Sequence, residues 1–194
     1  MELWRTPNEP WHPATGTYAI AKDWALAMLG SGQGRTCLVI GSPLAEAQAL
    51  YARGWKIAYL DWRLPPLPLH DMMICVEDAC VMSWPDASVD AISSTCVLCH
   101  VGMGRYGDPV REDAPFTMLK ECARVLKPGG HLVMMAGPVA AHPRVLPQHR
   151  VTSVEEMEAL CVQAGLAWGA SMVTKLDPAG ERYLCVECTK EAAK

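Results

Sequence analysis

The chain has 194 residues, of which 51% are hydrophobic and 20% charged, and this composition is typical of one folded domain and excludes a disordered chain. Its 17 Lys and Arg residues against 21 Asp and Glu residues give a net charge of −4, which argues against broad electrostatic binding to nucleic acid or to an anionic membrane. The sequence contains no apolar run near the roughly 20 residues of a membrane span and no secretory signal pattern, so we expect a cytoplasmic protein. The nine cysteines are an odd number in apolar segments, which favours reduced core thiols.

The predicted elements alternate between helix and strand. In chain order, the pattern predicts a helix at 18–29, a strand at 36–40, a helix at 44–53 and a strand at 55–60. Strands follow at 73–76 and 89–94, then a helix that begins at 113–115, a turn at 127–130 and a strand at 131–136. The last predicted elements are a helix that begins at the capping box 153–156 and strands at about 170–175 and 182–188. This alternation predicts a parallel, right-handed α/β sheet with a ligand site at the carboxyl ends of the strands. We expect a single domain over residues 1–194, with an N-terminal helical segment at 1–34 and a core at 35–190.

Several stretches resemble the class I S-adenosylmethionine-dependent methyltransferases. LKECARVLKPGGHL at 119–132 resembles the helix, Pro-Gly-Gly turn and fifth strand of that family. DA at 78–79 and WPDASVD at 84–90 resemble the acid after its third strand and the run into its fourth. The resemblance covers roughly residues 35–190. It implies a Rossmann-like fold: a mostly parallel seven-stranded sheet, helices on both faces and an antiparallel last strand.

A narrower likeness lies in HVGMGRYGDP at 100–109. It is similar to a methyltransferase-like family of unknown function that carries a His-hydrophobic-Gly-Leu-Gly-Arg-Tyr-Gly-Asp-Pro loop after its fourth strand. His149 and Arg150, before the last helix, also resemble that family. This likeness names relatives and no substrate.

The resemblance implies S-adenosylmethionine as cofactor and places its site after the first three strands. Gly41 and Ser42 would pass close to the amino-acid end of the cofactor. Asp61 ends the second strand, 20 residues after Gly41, where a carboxylate accepts from ribose hydroxyls in dinucleotide-binding folds. The alternative for Asp61 is a solvated turn aspartate.

The adenine side is predicted from three further residues. Asp78 would face the adenine with Ala79 beside it, and Trp62 would wall the pocket. The alternatives are an exposed loop acid at 78, since loop side chains are usually solvated, and a simply packed Trp62.

The glycine loop departs from the family pattern. Val39 stands where the family has an acid, and only Gly41 of the three expected glycines is present. Pro43 removes an amide donor and Ala45 adds a Cβ where the chain approaches the ligand. These changes keep a second interpretation open, a non-catalytic methyltransferase-like protein that binds another ligand or a partner protein.

His100, just after the predicted fourth strand, is the candidate catalytic base, because an unperturbed pKa near 6.5 suits proton transfer. The alternative is a structural histidine that holds the following loop through backbone hydrogen bonds. Arg105, Tyr106 and Asp108 are expected either to contact substrate or to brace the loop through an Arg–Asp pair.

Charge gives a hint about the methyl acceptor. Residues 102–150 hold seven Lys and Arg residues against four Asp and Glu residues, a local charge of +3 against −7 elsewhere. We hypothesise an anionic or polyhydroxyl acceptor, a small molecule or glycan precursor, near Arg105, Tyr106, Arg144, His149 and Arg150; the alternative is that several of these charges are simply solvated. No nucleic-acid or membrane partner is expected.

Other chemistries are less favoured. Zinc binding by the CxxC pairs at 96–99 and 185–188 would need a local turn, because residues i and i+3 of a strand point to opposite faces; no metal site is predicted. A nicotinamide dehydrogenase lacks its glycine fingerprint here. The aromatic residues Trp4, Trp11, Tyr18 and Trp24 suggest either a lid over the cofactor or a helix packed permanently on the sheet.

Overall fold

The computed structural model of the protein describes residues 16–41, 43–65, 71–175, 177 and 180–191. Within these residues the helices are α1 (Thr17–Leu29), α2 (Leu44–Ala52), α3 (Ala114–Val125) and α4 (Val154–Gln163). The strands are β1 (Thr36–Ile40), β2 (Lys56–Asp61), β3 (Met73–Val76), β4 (Val89–Thr95), β5 (Leu126–Pro138), β6 (Arg144–Val145), β7 (Arg150–Val151), β8 (Leu166–Val173) and β9 (Tyr183–Lys190).

Seven strands form one sheet in the order β3-β2-β1-β4-β5-β9-β8. The strands from β3 to β5 are parallel neighbours, and β9 runs antiparallel to both β5 and β8. This arrangement confirms the predicted class I methyltransferase fold, including the antiparallel last strand.

The sheet is covered on both faces, and residues 37–40 of its central strand β1 are apolar and buried on both sides. Cys37 and Val39 of β1 face one core, which includes Ala25 of α1 and Leu50 of α2. Leu38 and Ile40 face the opposite core, which includes residues of α3 and α4. A fully buried aliphatic side chain contributes roughly 1.5–3 kcal/mol, so this short strand anchors both layers.

Helix α4 begins as the capping box predicts. The Ser153 hydroxyl accepts a hydrogen bond from the Glu156 amide at 3.0 Å. The Glu156 carboxylate does not complete the box; it accepts from the Thr152 hydroxyl at 2.6 Å. Met157 and Cys161 are buried on the inner face, as predicted.

Two predicted strand starts were wrong, and one hairpin was not predicted. β5 begins at Leu126 and not at residue 131, although its pairing with β4 skips from Leu126 to His131 and Gly129 between them has φ +75°, as in the predicted turn at 127–130. β8 begins at Leu166, directly after Gly165 at φ +88°, and not near residue 170. The hairpin of β6 and β7 was not predicted.

Helix α1 packs on the sheet over its described length. Ala21, Ala25 and Leu29 are its buried residues, and it contacts β4, β5, β9 and α2. Trp4 and Trp11, on which the lid hypothesis partly rested, lie outside the described residues. Among the described residues, the helices are all too short or too polar to cross a membrane.

Candidate active site

An open cleft lies at the carboxyl ends of β1, β2 and β4. Its cavity volume is about 120 Å³, and the cleft opens to solvent. Five of the predicted cofactor residues line it, together with the catalytic candidate His100: Gly41, Asp61, Trp62, Asp78 and Ala79. Ser42 lies outside the described residues.

Gly41 lets the chain pass tightly through this end of the cleft. Its φ is +57°, and a Cβ built there would lie 2.5 Å from Cγ2 of Val97 and 3.8 Å from Oδ2 of Asp61. A side chain would therefore clash with Val97 and adopt strained backbone geometry. The next described residue, Pro43, also lines the cleft and precedes α2. The backbone at Gly41 keeps the close approach that a ligand needs, although the other glycines are missing.

Asp61 is a buried carboxylate at the end of β2, with a relative exposure of 8%. Its Oδ1 accepts a hydrogen bond from the Arg63 amide at 2.9 Å and lies 3.5 Å from Nε of Arg63. Burial raises the pKa of this carboxyl, and the contacts with Arg63 act in the opposite direction. The aspartate is thus held by its own loop and not solvated, as its functional interpretation requires.

Asp78 is more constrained than the sequence suggested. Its Oδ1 accepts from the Cys80 amide at 2.9 Å, and its Oδ2 lies 3.2 Å from Nη2 of Arg111. The carboxylate lines the cleft but is already engaged on both oxygens. Ala79, 7% exposed, contributes a small apolar wall beside it.

His100 lies in a short helical turn that follows β4, in which the amides of His100 and Val101 both donate to the Val97 carbonyl. Its Nδ1 lies 2.8 Å from the carbonyl oxygen of Gln148. A carbonyl only accepts, so Nδ1 carries the proton and, in the neutral ring, Nε2 is the basic nitrogen. Arg105 Nη1 lies 3.4 Å from Nδ1 and 3.2 Å from the same carbonyl; because Arg only donates, the second contact is the hydrogen bond.

Two cysteines set the charge around His100. A hydrogen bond from Cys96 lowers the pKa of the Cys99 thiol to about 5, against the effect of burial. Burial alone lowers the pKa of His100, but its hydrogen bond with Cys99 and the charge of Cys99 outweigh burial, and the net shift is upward. The contact with Cys99 therefore makes the His100 ring easier to protonate.

Some of the residues predicted for the acceptor lie near His100. Tyr106 lines the cleft, with the Arg63 guanidinium 4.3 Å and that of Arg105 5.3 Å from its ring centroid. The His149 ring lies 6.2 Å from that of His100, and its Nε2 is 3.1 Å from a carboxylate oxygen of Glu181. Tyr106 thus lines the cleft together with His100, whereas Arg105 and His149 lie near the His100 ring without lining the cleft.

Arg144 and Arg150 are not brought to the cleft. Arg144 is exposed on β6. The Arg150 guanidinium donates to the carbonyls of Val101 and Arg111 and so braces the loop after β4. One of these two arginines lies on the hairpin surface and the other donates to backbone carbonyls, and their expected contact with the acceptor stays a prediction.

The expected Arg–Asp brace of the loop is also replaced. Asp108 accepts from the amides of Gly102 at 2.7 Å and Tyr106 at 3.2 Å, so the loop is braced by a carboxylate on backbone donors. Among the CxxC residues, Cys185 and Cys188 lie in different cores on opposite sheet faces, as strand geometry requires.

Sequence reasoning missed several residues near the cleft. Arg63 and Val97 gave no signal, because their roles depend on contacts with Asp61 and Gly41. Glu46 looked like an ordinary acid in the first turn of a helix, but it is completely buried against Ser93 and Thr95. Two hydroxyl residues in a buried strand were the available signal that a polar partner lies opposite them.

Comparison with known proteins agrees with this geometry. The family model described as "Methyltransferase domain" matches residues 28–134, more than half of the chain. The chain belongs to this methyltransferase family. No curated protein matches the chain, and the narrower likeness of residues 100–109 to a family of unknown function stays a prediction.

Solved structures show the same fold at low identity. The 1,6-didemethyltoxoflavin-N1-methyltransferase of Burkholderia thailandensis, solved with 1,6-didemethyltoxoflavin and S-adenosylhomocysteine, is 18% identical with a TM-score of 0.75 over 90% of this chain and 78% of that one. The [4+2]-cyclase SpnF is 16% identical with a TM-score of 0.70 over 91% and 81%. An S-adenosylmethionine-dependent methyltransferase of Mesorhizobium loti is 14% identical with a TM-score of 0.64 over 89% and 99%.

The residues present fit the cofactor. A buried carboxylate at Asp61 faces a close backbone passage at Gly41, and the cleft continues past Trp62 and Ala79 as a partly apolar slot. These features match the ribose, amino-acid and adenine parts of a nucleoside ligand in chemistry.

Proposed function

We propose that this protein transfers the methyl group of S-adenosylmethionine to a small molecule or glycan precursor. The observation that carries the proposal is the buried Asp61 carboxylate beside Gly41, at the strand ends where such folds bind nucleosides. When bound, the cofactor supplies an activated methyl group on a sulfonium. The chain itself has to hold the cofactor and position the acceptor.

We assign the cofactor contacts residue by residue. Asp61 accepts from the ribose hydroxyls, and Gly41 and Ser42 provide backbone at the amino-acid end. Trp62 and Ala79 enclose the adenine, with Asp78 as its polar neighbour. The Arg63 amide supports the proposal by holding Asp61 in place at 2.9 Å.

The acceptor lies on the side of His100, Arg105, Tyr106 and His149 in this proposal. Nε2 of His100 takes the proton of an acceptor hydroxyl, while Nδ1 stays bonded to Gln148. The guanidinium of Arg105 beside the ring of Tyr106 favours an acceptor that carries negative charge or several hydroxyls. The didemethyltoxoflavin bound by the Burkholderia enzyme is a small molecule, which is consistent with an acceptor of that size.

Calorimetry tests the cofactor site. Wild-type protein is expected to bind S-adenosylhomocysteine with micromolar affinity, about −8 kcal/mol, and Asp61→Ala to abolish this binding. Asp23→Ala, on the exposed side of α1, is the matched control, because it removes the same charge from a side chain that is 74% exposed. Binding that survives in Asp61→Ala as in Asp23→Ala would contradict the assignment of Asp61.

The second candidate is a non-catalytic methyltransferase-like protein. It is favoured by Pro43, which lines the cleft without an amide proton, and by the pairing of Asp78 with Arg111. The SpnF cyclase has a fold of this kind and a different named reaction. If folded wild-type protein binds neither S-adenosylmethionine nor S-adenosylhomocysteine, this result would support the second function and contradict the first.

A further inference from the structure

Glu46 is the carboxylate most completely removed from solvent among the described residues. It lies in the first turn of α2 with a relative exposure of 0%. Its Oε1 accepts from the Ser93 hydroxyl at 2.6 Å and its Oε2 accepts from the Thr95 hydroxyl at 2.7 Å. Such short O–H···O distances are typical of hydrogen bonds to an ionised carboxylate.

The register of the sheet locates this carboxylate. Ser93 is the β4 partner of Val39 on β1, and Val39 faces the same core as Ala47, the residue after Glu46. Helix α2 therefore places a negative charge beside a first strand whose own residue at that point is apolar. Thr95 is two residues further along β4, where the strand reaches the cleft.

The direction of the hydrogen bond from Thr95 determines whether its hydroxyl oxygen acts as a donor or an acceptor toward the cleft. A carboxylate only accepts, so the Thr95 proton points toward Glu46, and the remaining lone pairs of Oγ1 are available as acceptors. Thr95 lines the cleft together with Gly41 and Cys96. This corner of the cleft thus offers an oxygen acceptor with a negative charge directly behind it, which favours a cationic donor.

We propose that the Thr95 hydroxyl binds the ammonium group of the cofactor's amino-acid end. Its hydrogen bond to Glu46 orients it, and the negative charge of the Glu46 carboxylate strengthens this binding. The inference rests on the proposed function, since S-adenosylmethionine and S-adenosylhomocysteine both carry this ammonium group. Glu46 is a positioning residue that does not itself line the cleft. It supplies from helix α2 the negative charge that Val39 does not supply from β1.

Three ligands separate the two ends of the cofactor. S-adenosylmethionine and S-adenosylhomocysteine carry the ammonium group, whereas 5′-methylthioadenosine keeps the adenosine and lacks the amino-acid end. Calorimetry on Glu46→Gln and Thr95→Val is expected to show dissociation constants for the first two ligands that are at least about tenfold higher than in the wild type. Binding of 5′-methylthioadenosine is expected to stay as in the wild type.

Matched variants separate a binding role from a structural one. Thr95→Ser keeps the hydroxyl and is expected to bind like the wild type. Ser93→Ala removes the other hydroxyl bonded to Glu46 without changing a cleft residue, and is expected to weaken binding less than Thr95→Val. Thermal melting followed by circular dichroism checks that each variant folds; if Glu46→Gln does not, the pair Thr95→Val and Thr95→Ser carries the test.

Two results would overturn the inference. The first is unchanged binding of S-adenosylhomocysteine by folded Glu46→Gln and Thr95→Val. The second is an equal loss of 5′-methylthioadenosine binding, which would make the role structural. Wild-type protein that binds none of the three ligands would instead overturn the proposed function, and this inference with it.

Discussion

The behaviour of His100 is set by its contacts. The Gln148 carbonyl fixes the proton on Nδ1, and the Cys99 thiol beside it favours the charged ring. A base for methyl transfer has to be neutral before it accepts a proton, so the raised pKa of His100 shifts its useful range to higher pH. The same contacts that orient the ring therefore also set the pH at which it can act.

Cys99→Ser is expected to lower the pKa of His100. Serine keeps a polar group at this buried position but cannot ionise in this range, so the effect that raises the His100 pKa is lost and burial then lowers it. The measurement is an NMR titration of the His100 ring. In the wild type the midpoint lies above the ordinary value of about 6.5, and in Cys99→Ser it falls below the wild-type midpoint.

Cys75→Ser is the control for this titration, because Cys75 lies on the edge strand β3, in none of the contacts of His100. Its His100 midpoint should match the wild type. If the His100 midpoint in Cys99→Ser stays at the wild-type value, the Cys99 thiol does not raise the pKa of His100.

The residues that could be predicted from sequence were those whose position in the chain fixes their role. Asp61 ends a strand at a fixed distance from Gly41, and both were placed in the cleft. Glu46 and Arg63 could not be predicted, because their roles depend on which strand or loop lies across from them. The role of Arg150 could not be predicted for the same reason, because charge alone does not distinguish a guanidinium that binds substrate from one that donates to backbone carbonyls.

At the level of elements, the hairpin of β6 and β7 supports the loop after β4. The Arg150 amide donates to the Cys99 carbonyl at 2.8 Å, and its side chain donates to Val101 and Arg111. The hairpin also supplies, through Gln148, the carbonyl that fixes His100. It thus holds the loop after β4 through backbone and side-chain hydrogen bonds.

Arg150→Ala is expected to lower the free energy of unfolding by about 2 kcal/mol, the scale of hydrogen bonds to a charged group. Urea denaturation measures this loss. Arg144→Ala in the same hairpin removes an exposed side chain and should stay within about 0.5 kcal/mol of the wild type. Equal stability of the two variants would show that Arg150 does not hold the loop.

Strands and helices with a strong pattern were predicted well, and irregular ones were not. Strand β1 is a continuous apolar run after Thr36, and α4 carries its cap and its inner face in the sequence. The two-residue strands β6 and β7 are too short for a periodic pattern. The Pro-Gly-Gly segment was interpreted as a turn because its residues favour one, and the pairing of β5 with β4 skips these residues while Gly129 has φ +75°.

In the whole molecule, α1 joins separate parts of the core. Ala25 and Leu29 pack in the core shared with α2, while Ala21 packs near the cleft with Cys96, Met135 and Cys185. The adjacent Tyr18 lines the cleft itself. A helix attached at both places cannot leave the sheet without exposing both sets of residues.

Hydrogen exchange is expected to show slow amides over residues 17–29 in the absence of any ligand. Opening of this helix exposes buried alanine and leucine side chains, so its later amides should exchange only by unfolding of the domain. Fast exchange that becomes slow on addition of S-adenosylhomocysteine would instead identify α1 as a lid. The exposed strand β6 provides the internal control for fast exchange.

The antiparallel β9 also constrains how the chain is made. It pairs with β5 and with β8, so it fills a gap between two strands that are synthesised before it. While the ribosome is still translating the residues before 183, the β5 edge that carries Met134 and Met135 has no strand beside it on that side. An open, apolar edge of this kind is a target for intermolecular pairing. We therefore expect nascent chains stalled before β9 to aggregate or to require a chaperone, and chains extended past it to become protease-resistant.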